Sequence, residues 1–118
     1  MKNSIPNYQH FLGQQLTVKV DRPLGSRHPE YHYQYPVNYG FIPNTQAEDR
    51  EEIDAYILGV NEPISEFTGQ CIAIIFRHDD CENKLIIAPE KSSFSDEDIS
   101  IAVHFQEQYF QTEVVRGS

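Results

Sequence analysis

Three short apolar runs set the strongest limit on how this 118-residue chain can fold. They are IDAYILGV (53–60), QCIAIIF (70–76) and KLIIAP (84–89), each bounded by turn-forming residues. Runs this short and this rich in isoleucine fit strands better than helices. Asn61-Glu62-Pro63 closes the first run and HDDCEN (78–83) separates the second from the third, a spacing that predicts a meander.

The remaining elements follow from periodicity. In QLTVKV (15–20) the alternation puts Leu16, Val18 and Val20 on one face of a strand. DRPLGSRHPE (21–30) is turn sequence. In YHYQYPVNYGFIP (31–43), Tyr31, Tyr33 and Tyr35 share one side if the chain is extended, and Pro36 marks an edge or a bend. One helix is predicted after Ser95, an N-cap with Asp98 at the third helical position. Ile99, Ala102, Val103, Gln106 and Phe110 carry its apolar spacing, supplemented by Ile101, Phe105 and Tyr109. Five or six short strands and a late helix predict one mainly-β domain spanning the chain, a small antiparallel barrel or sandwich with the helix packed on it. The closing Arg116–Ser118 reads equally well as native sequence or as a tag remnant.

Charge narrows the function classes. Nine Lys and Arg stand against eighteen Asp and Glu, a formal charge of −9, which disfavours broad contact with nucleic acid or an anionic membrane. An acidic protein still binds anions when cations bridge the two. No run of about 18 apolar residues offers a membrane span, and the first ten residues have no apolar leader core, so a cytoplasmic protein is expected. Cys71 and Cys81 are too few for a disulfide framework.

Three stretches could carry chemistry. Glu48, Asp49, Glu51, Glu52 and Asp54 place five acids within seven positions. In an extended chain Glu52, Asp54 and Tyr56 share a face opposite Ile53, Ala55 and Ile57, so Asp54 would stand on a core strand, where a lone carboxylate is costly. Hard oxygens presented this way suit Mg²⁺ or Mn²⁺, and a solvated acidic turn is the plain alternative. Arg27, with Tyr31, Tyr33, Tyr35 and Tyr39 behind it, offers donors for phosphate, although tyrosines also pack barrels. Asp79, Asp80 and Glu82 precede Lys84 in a stretch that a hairpin loop would also explain. A zinc site is not supported: His28 and His32 flank Pro29, and neither HExxH nor CxxC occurs.

With YPVNYGFIPNT followed by EDREEIDAYILGV, the chain resembles the soluble family I inorganic pyrophosphatases. DRPLGSRHP, FTGQCIAIIFRHDD and FQEQYF resemble a short bacterial branch of that family, and the matching pieces run in order from about Val18 to Tyr109. The resemblance implies an OB-like, five-stranded antiparallel barrel with a C-terminal helix, and Mg²⁺-dependent hydrolysis of pyrophosphate to two phosphates. It implies metal binding by Asp49, Asp54 and Glu82, and help in deprotonating the attacking water from Glu51. It implies phosphate contacts by Arg27, Tyr39, Lys84 and Tyr109, with Tyr35 opening the Tyr-Pro motif. Homo-oligomers are common in the family. Arg50 replaces a small residue of the signature and Phe110 a lysine. A second reading therefore stays open: a barrel that binds a metal or phosphate ligand, or assembles, without turnover.

Overall fold

The computed structural model describes residues 6–46, 51–80 and 82–117. A one-turn helix α1 (Pro6–Gln9) precedes strands β1 (Gln15–Arg22), β2 (Asn38–Ile42), β3 (Ile53–Ile57), β4 (Glu66–Arg77) and β5 (Lys84–Ala88). Helix α2 (Asp96–Glu107) and strand β6 (Thr112–Val115) complete the chain. The sheet order is β1-β2-β3-β5-β4-β6, and β1 also pairs with β4. That last pairing closes β1 to β5 into a five-stranded barrel, with β6 attached outside on β4.

The expected barrel and helix are present, with three corrections to the strand plan. The third, fourth and fifth strands are not a meander: β3 pairs with β5, and in parallel, so the barrel is mixed rather than wholly antiparallel. The physical reason is the length of β4, whose 12 residues hydrogen-bond β1, β5 and β6 in turn and thereby seal the barrel. The extended aromatic stretch is regular only from Asn38, and β6 follows the helix.

Alternation divides the core in two. Val18, Ile53, Ala55, Ile57, Cys71, Ile74, Leu85 and Ile87 fill the barrel interior. Tyr39, Tyr56, Ala73, Ile75 and Ile86 face outward and pack beneath Ile99 and Val103 of α2. One extra residue, Ile72, sits between the Cys71–Ile87 and Ala73–Ile86 pairs and restores the inward direction at Ile74. Gly40 is required where β1 crosses β2, because a Cβ there would lie 1.9 Å from the Lys19 carbonyl oxygen.

Helix α2 starts as its sequence dictates. The Asp98 amide donates to Ser95 Oγ and the Ser95 amide donates to Asp98 Oδ2, both at 3.0 Å. Ile101 is 68% exposed, so the supporting apolar position assigned to it lies on the solvent side of the helix. Phe110 lies beyond the helix end at Glu107.

The Cys71 thiol is buried in the barrel and pushed up from 9.0 to about 12, chiefly by burial. Above pH 9 the unfolded chain loses this proton while the folded chain keeps it, so the stability the neutral thiol contributes falls as pH rises toward 12. The urea midpoint is expected to drop between pH 8.5 and 10, and to drop less steeply in Cys71→Ala. Equal slopes in the two proteins would show that the thiol plays no part.

Candidate active site

A cleft of about 810 Å³ opens on the outer face of the barrel, where β2, β3 and β5 meet the end of α2. Lys84 forms its floor. Its Nζ donates to Asp54 Oδ2 at 2.8 Å and to Glu82 Oε1 at 2.6 Å. The Tyr39 hydroxyl donates to the same Asp54 oxygen at 2.8 Å. The Lys84 side chain is only 4% exposed, so its charge depends on these partners. Burial pulls its pKa down, but Tyr39, Asp54 and Glu82 outweigh burial and hold it above the ordinary lysine value. Burial raises the Tyr39 phenol, against the pull of Lys84, so Tyr39 stays a neutral donor.

Local structure explains these positions. Asp54 and Tyr56 alternate with the inward Ile53, Ala55 and Ile57, and Lys84 and Ile86 alternate with Leu85 and Ile87. The parallel register sets Tyr56 against Ile86, which brings the outward carboxylate and ammonium together one step earlier. Thr45 draws in the ends of the acidic loop: its Oγ1 donates to Ile42 O and accepts from the Ile53 amide. Asn38, wholly buried, accepts from the Leu24 and Ile64 amides and donates to Glu62 O, pinning two loops beside the cleft.

Two cations that sequence reasoning overlooked also line the cleft, Arg22 and Arg77. In β1, Asp21 is an extra residue between the Val20–Gly40 and Arg22–Tyr39 pairs. Strict alternation would turn Arg22 to the same side as Val20, and the bulge turns it out into the cleft instead. The Asp21 carboxyl lies above the usual range, first through burial, with Arg22 opposing and the Asp54 charge adding. Arg77 ends β4 and is 4% exposed. It grips Glu107 with two bonds, Nε to Oε1 at 2.9 Å and Nη2 to Oε2 at 2.7 Å, and reaches Asp80 at 3.0 Å. Phe110 stacks 3.7 Å from the guanidinium. The only sequence cue for Arg77 was a cation ending an apolar run.

A directed chain of hydrogen bonds ties this ion pair to the cleft wall. Tyr33 and Tyr35 both donate to Gln106 Oε1, at 3.0 and 3.2 Å. Gln106 Nε2 donates to the Tyr56 hydroxyl at 2.8 Å, which donates to Glu107 Oε2 at 2.5 Å. Burial and Tyr35 push the Tyr33 phenol up to about 12, so it donates at neutral pH.

The expected site residues are only partly gathered. Tyr35, Tyr39, Asp54, Glu82, Lys84 and Tyr109 line the cleft. Arg27 is not among its lining residues, and its Nη1 donates to His32 O at 3.1 Å. Glu51 is exposed at the approach to β3 and is not in the lining either. Asp49, with Glu48 and Arg50, lies outside the described residues, as does Cys81. Asp79 and Asp80 take structural partners, the Gln111 amide and Arg77.

Among the described residues, no three His, Cys, Asp or Glu gather closely enough to hold a metal ion by themselves. Asp54 and Glu82 nonetheless supply two hard carboxylates at one point, with the charge of Asp21 near Asp54. Mg²⁺ is usually held by one or two carboxylates together with water and substrate phosphates, so this donor set fits such an ion.

Comparison with known proteins agrees with this fold. Residues 11–112 match the family described as Pyrophosphatase, inorganic pyrophosphatase. No curated protein matches the chain. Among solved structures, it is similar to an inorganic pyrophosphatase from Ehrlichia chaffeensis, with a TM-score of 0.71 and 18% identity over 89% of this chain and 87% of that one. A pyrophosphatase from Helicobacter pylori superposes with a TM-score of 0.63 at 19% identity, over 87% of this chain and 83% of that one. One from Coxiella burnetii gives 0.62 at 18% identity, over 87% and 84%. At these identities the likeness is one of fold. No helix among the described residues is long and apolar enough to cross a membrane.

Proposed function

The chain belongs to the inorganic pyrophosphatase family, and from that premise we propose that it hydrolyses inorganic pyrophosphate to two phosphates with Mg²⁺ or Mn²⁺ as cofactor. The observation that carries this reading is the buried Lys84 ammonium, held between Asp54 and Glu82 on the floor of an open cleft. It combines a fixed positive charge for phosphate oxygens with hard carboxylates for a cation.

In this reading Asp54 and Glu82, with Asp49 from the acidic loop, hold the metal. A divalent ion bound there lowers the pKa of a coordinated water and neutralises phosphate charge. The protein's own residues bind and orient. Lys84 stays protonated and presents its charge where water is largely excluded, so its pull on a developing phosphate charge is weakly screened. Arg22 adds positive charge on the cleft wall, whereas the charge of Arg77 is matched by Glu107 and Asp80. Tyr109 offers a hydroxyl to phosphate oxygens, and those of Tyr35 and Tyr39 do so on turning from Gln106 and Asp54. Arg27 supplies a further phosphate contact from the adjoining loop, and Glu51 takes the proton of the attacking water. Glu51 and Glu82 are each one methylene longer than aspartate. A displacement of about 1 Å costs roughly a hundredfold, so a slow enzyme is expected.

The test is phosphate release from pyrophosphate in the presence of Mg²⁺ or Mn²⁺. Turnover that chelation abolishes supports the reading. Folded protein that releases no phosphate above background overturns it. One observation favours a second reading, a binding barrel without turnover: Lys84 already satisfies both Asp54 and Glu82. Calorimetry showing Mg²⁺ binding without hydrolysis would select it.

A further inference from the structure

The cleft is much larger than its anion-binding floor needs, and its outer wall is aromatic. About 810 Å³ falls within the range of roughly 300–1,000 Å³ typical of pockets for drug-sized molecules. Two phosphoryl groups beside Lys84 would fill a small part of it. The rest is bounded by His28, Tyr31, Tyr33 and Tyr109.

The His28–Tyr33 loop is built to hold rings in a stack. The His28 amide donates to Tyr33 O at 2.8 Å, and the His32 amide donates to His28 O at 3.0 Å. His28 Nδ1 accepts from the Glu30 and Tyr31 amides, each at 3.1 Å, which fixes the imidazole plane. His32 takes the left-handed conformation at φ 66°, turning the chain so that Tyr31 and Tyr33 fall on the same side. His28 and Tyr31 stack with centroids 5.0 Å apart at 28°, and Tyr31 and Tyr33 lie 6.5 Å apart at 14°. Tyr33 is braced edge-on by Phe105 of α2 and held by Gln106.

This platform ends in open rings. Tyr31 and Tyr109 are each 67% exposed, although both are large aromatics bordering one cleft. Packing does not account for them. Their position does: a planar group set against Tyr31 would lie at the mouth while its phosphates reached Lys84 and Arg22 within. The hydroxyls and the imidazole make the wall amphipathic, suited to a heterocycle and a sugar more than to an alkyl chain.

We propose that this cleft takes a nucleoside diphosphate or triphosphate, its base stacked on Tyr31 and its phosphates on the Lys84 floor, and cleaves the terminal anhydride. The proposal rests on the phosphoanhydride-hydrolase reading above and names its substrate class. With a nucleoside diphosphate, the oxygen of water bonds to the terminal phosphorus. The bond from that phosphorus to the bridging oxygen breaks, and its electron pair leaves with the nucleoside monophosphate. The proton from water passes to a carboxylate and then to solvent, and the products are nucleoside monophosphate and phosphate.

Three substrates test this with Mg²⁺ and Mn²⁺: pyrophosphate, ADP, and methyl diphosphate, which carries an anhydride without a ring. ADP is expected to exceed methyl diphosphate in kcat/KM by about tenfold, about 1.4 kcal/mol, within the contribution of one stacked base. Tyr31→Ala should erase that difference and leave kcat/KM for pyrophosphate within about twofold, while Tyr31→Phe, which keeps the ring, should restore it. Equal rates on ADP and methyl diphosphate, or an equal loss on all three substrates in Tyr31→Ala, would overturn the proposal. Pyrophosphate turnover with no preference for ADP sinks this inference and leaves the pyrophosphatase reading standing. ADP turnover with no action on pyrophosphate does the reverse.

Discussion

Asp54→Asn is expected to lower phosphate release by about two to three orders of magnitude, the scale seen when one charge-stabilising group is removed from an active site, while the protein stays folded. The two effects separate because of what Asn keeps. Its carbonyl oxygen still accepts from Lys84 and Tyr39, and Lys84 keeps its second partner, Glu82. The backbone pairing of Asp54 with Phe41 does not involve the side chain. What Asn loses is the negative charge, which both a divalent cation and the ammonium require. Circular dichroism should match the unmodified protein, with any stability loss near the 1–3 kcal/mol of a weakened buried polar contact. More than a tenth of the original turnover would show that this carboxylate is not part of the machinery.

Glu107→Ala should have the largest effect on stability, about 3–5 kcal/mol, the cost of stranding one partner of a buried ion pair. Glu107 and Arg77 are 3% and 5% exposed at their side chains. Without Glu107 the guanidinium keeps Asp80 and the Phe110 ring, but loses its bidentate carboxylate, and the Tyr56 hydroxyl loses its acceptor. A domain of this size has roughly 5–15 kcal/mol in all, so the loss is a large fraction. Urea denaturation should show the midpoint falling sharply. Arg77→Met combined with Glu107→Leu should recover part of it, because no uncompensated charge remains. A shift below about 1 kcal/mol in the single variant would mean that the pair is solvated in a way its burial contradicts.

The sequence made some of the site legible because local alternation carries it. Ile53, Ala55 and Ile57 had to face one way, so Asp54 and Tyr56 had to face the other. Lys84 and Tyr39 were pointed to by the family resemblance rather than by alternation, and both stand beside Asp54 on the outward face. Arg22 was not legible, because a bulge at Asp21 breaks the period that alternation relies on, and nothing in the local pattern announces the extra residue. Arg27 is off the cleft lining because its guanidinium turns to His32 O in its own loop, a contact that local spacing does not record. Arg77 escaped notice because its partner, Glu107, lies 30 residues away on another element.

The same division holds for the fold. Apolar runs, turn residues and a capping box located the five barrel strands and the long helix, because each depends on neighbours a few positions apart, whereas β6 and the one-turn α1 carried no such pattern. The tertiary structure alone decided that β3 lies parallel to β5 and that β4 closes the barrel. It alone joined the buried ion pair to the cleft through Gln106 and Tyr56. These depend on which distant segments share hydrogen bonds and burial, and local spacing carries no record of that.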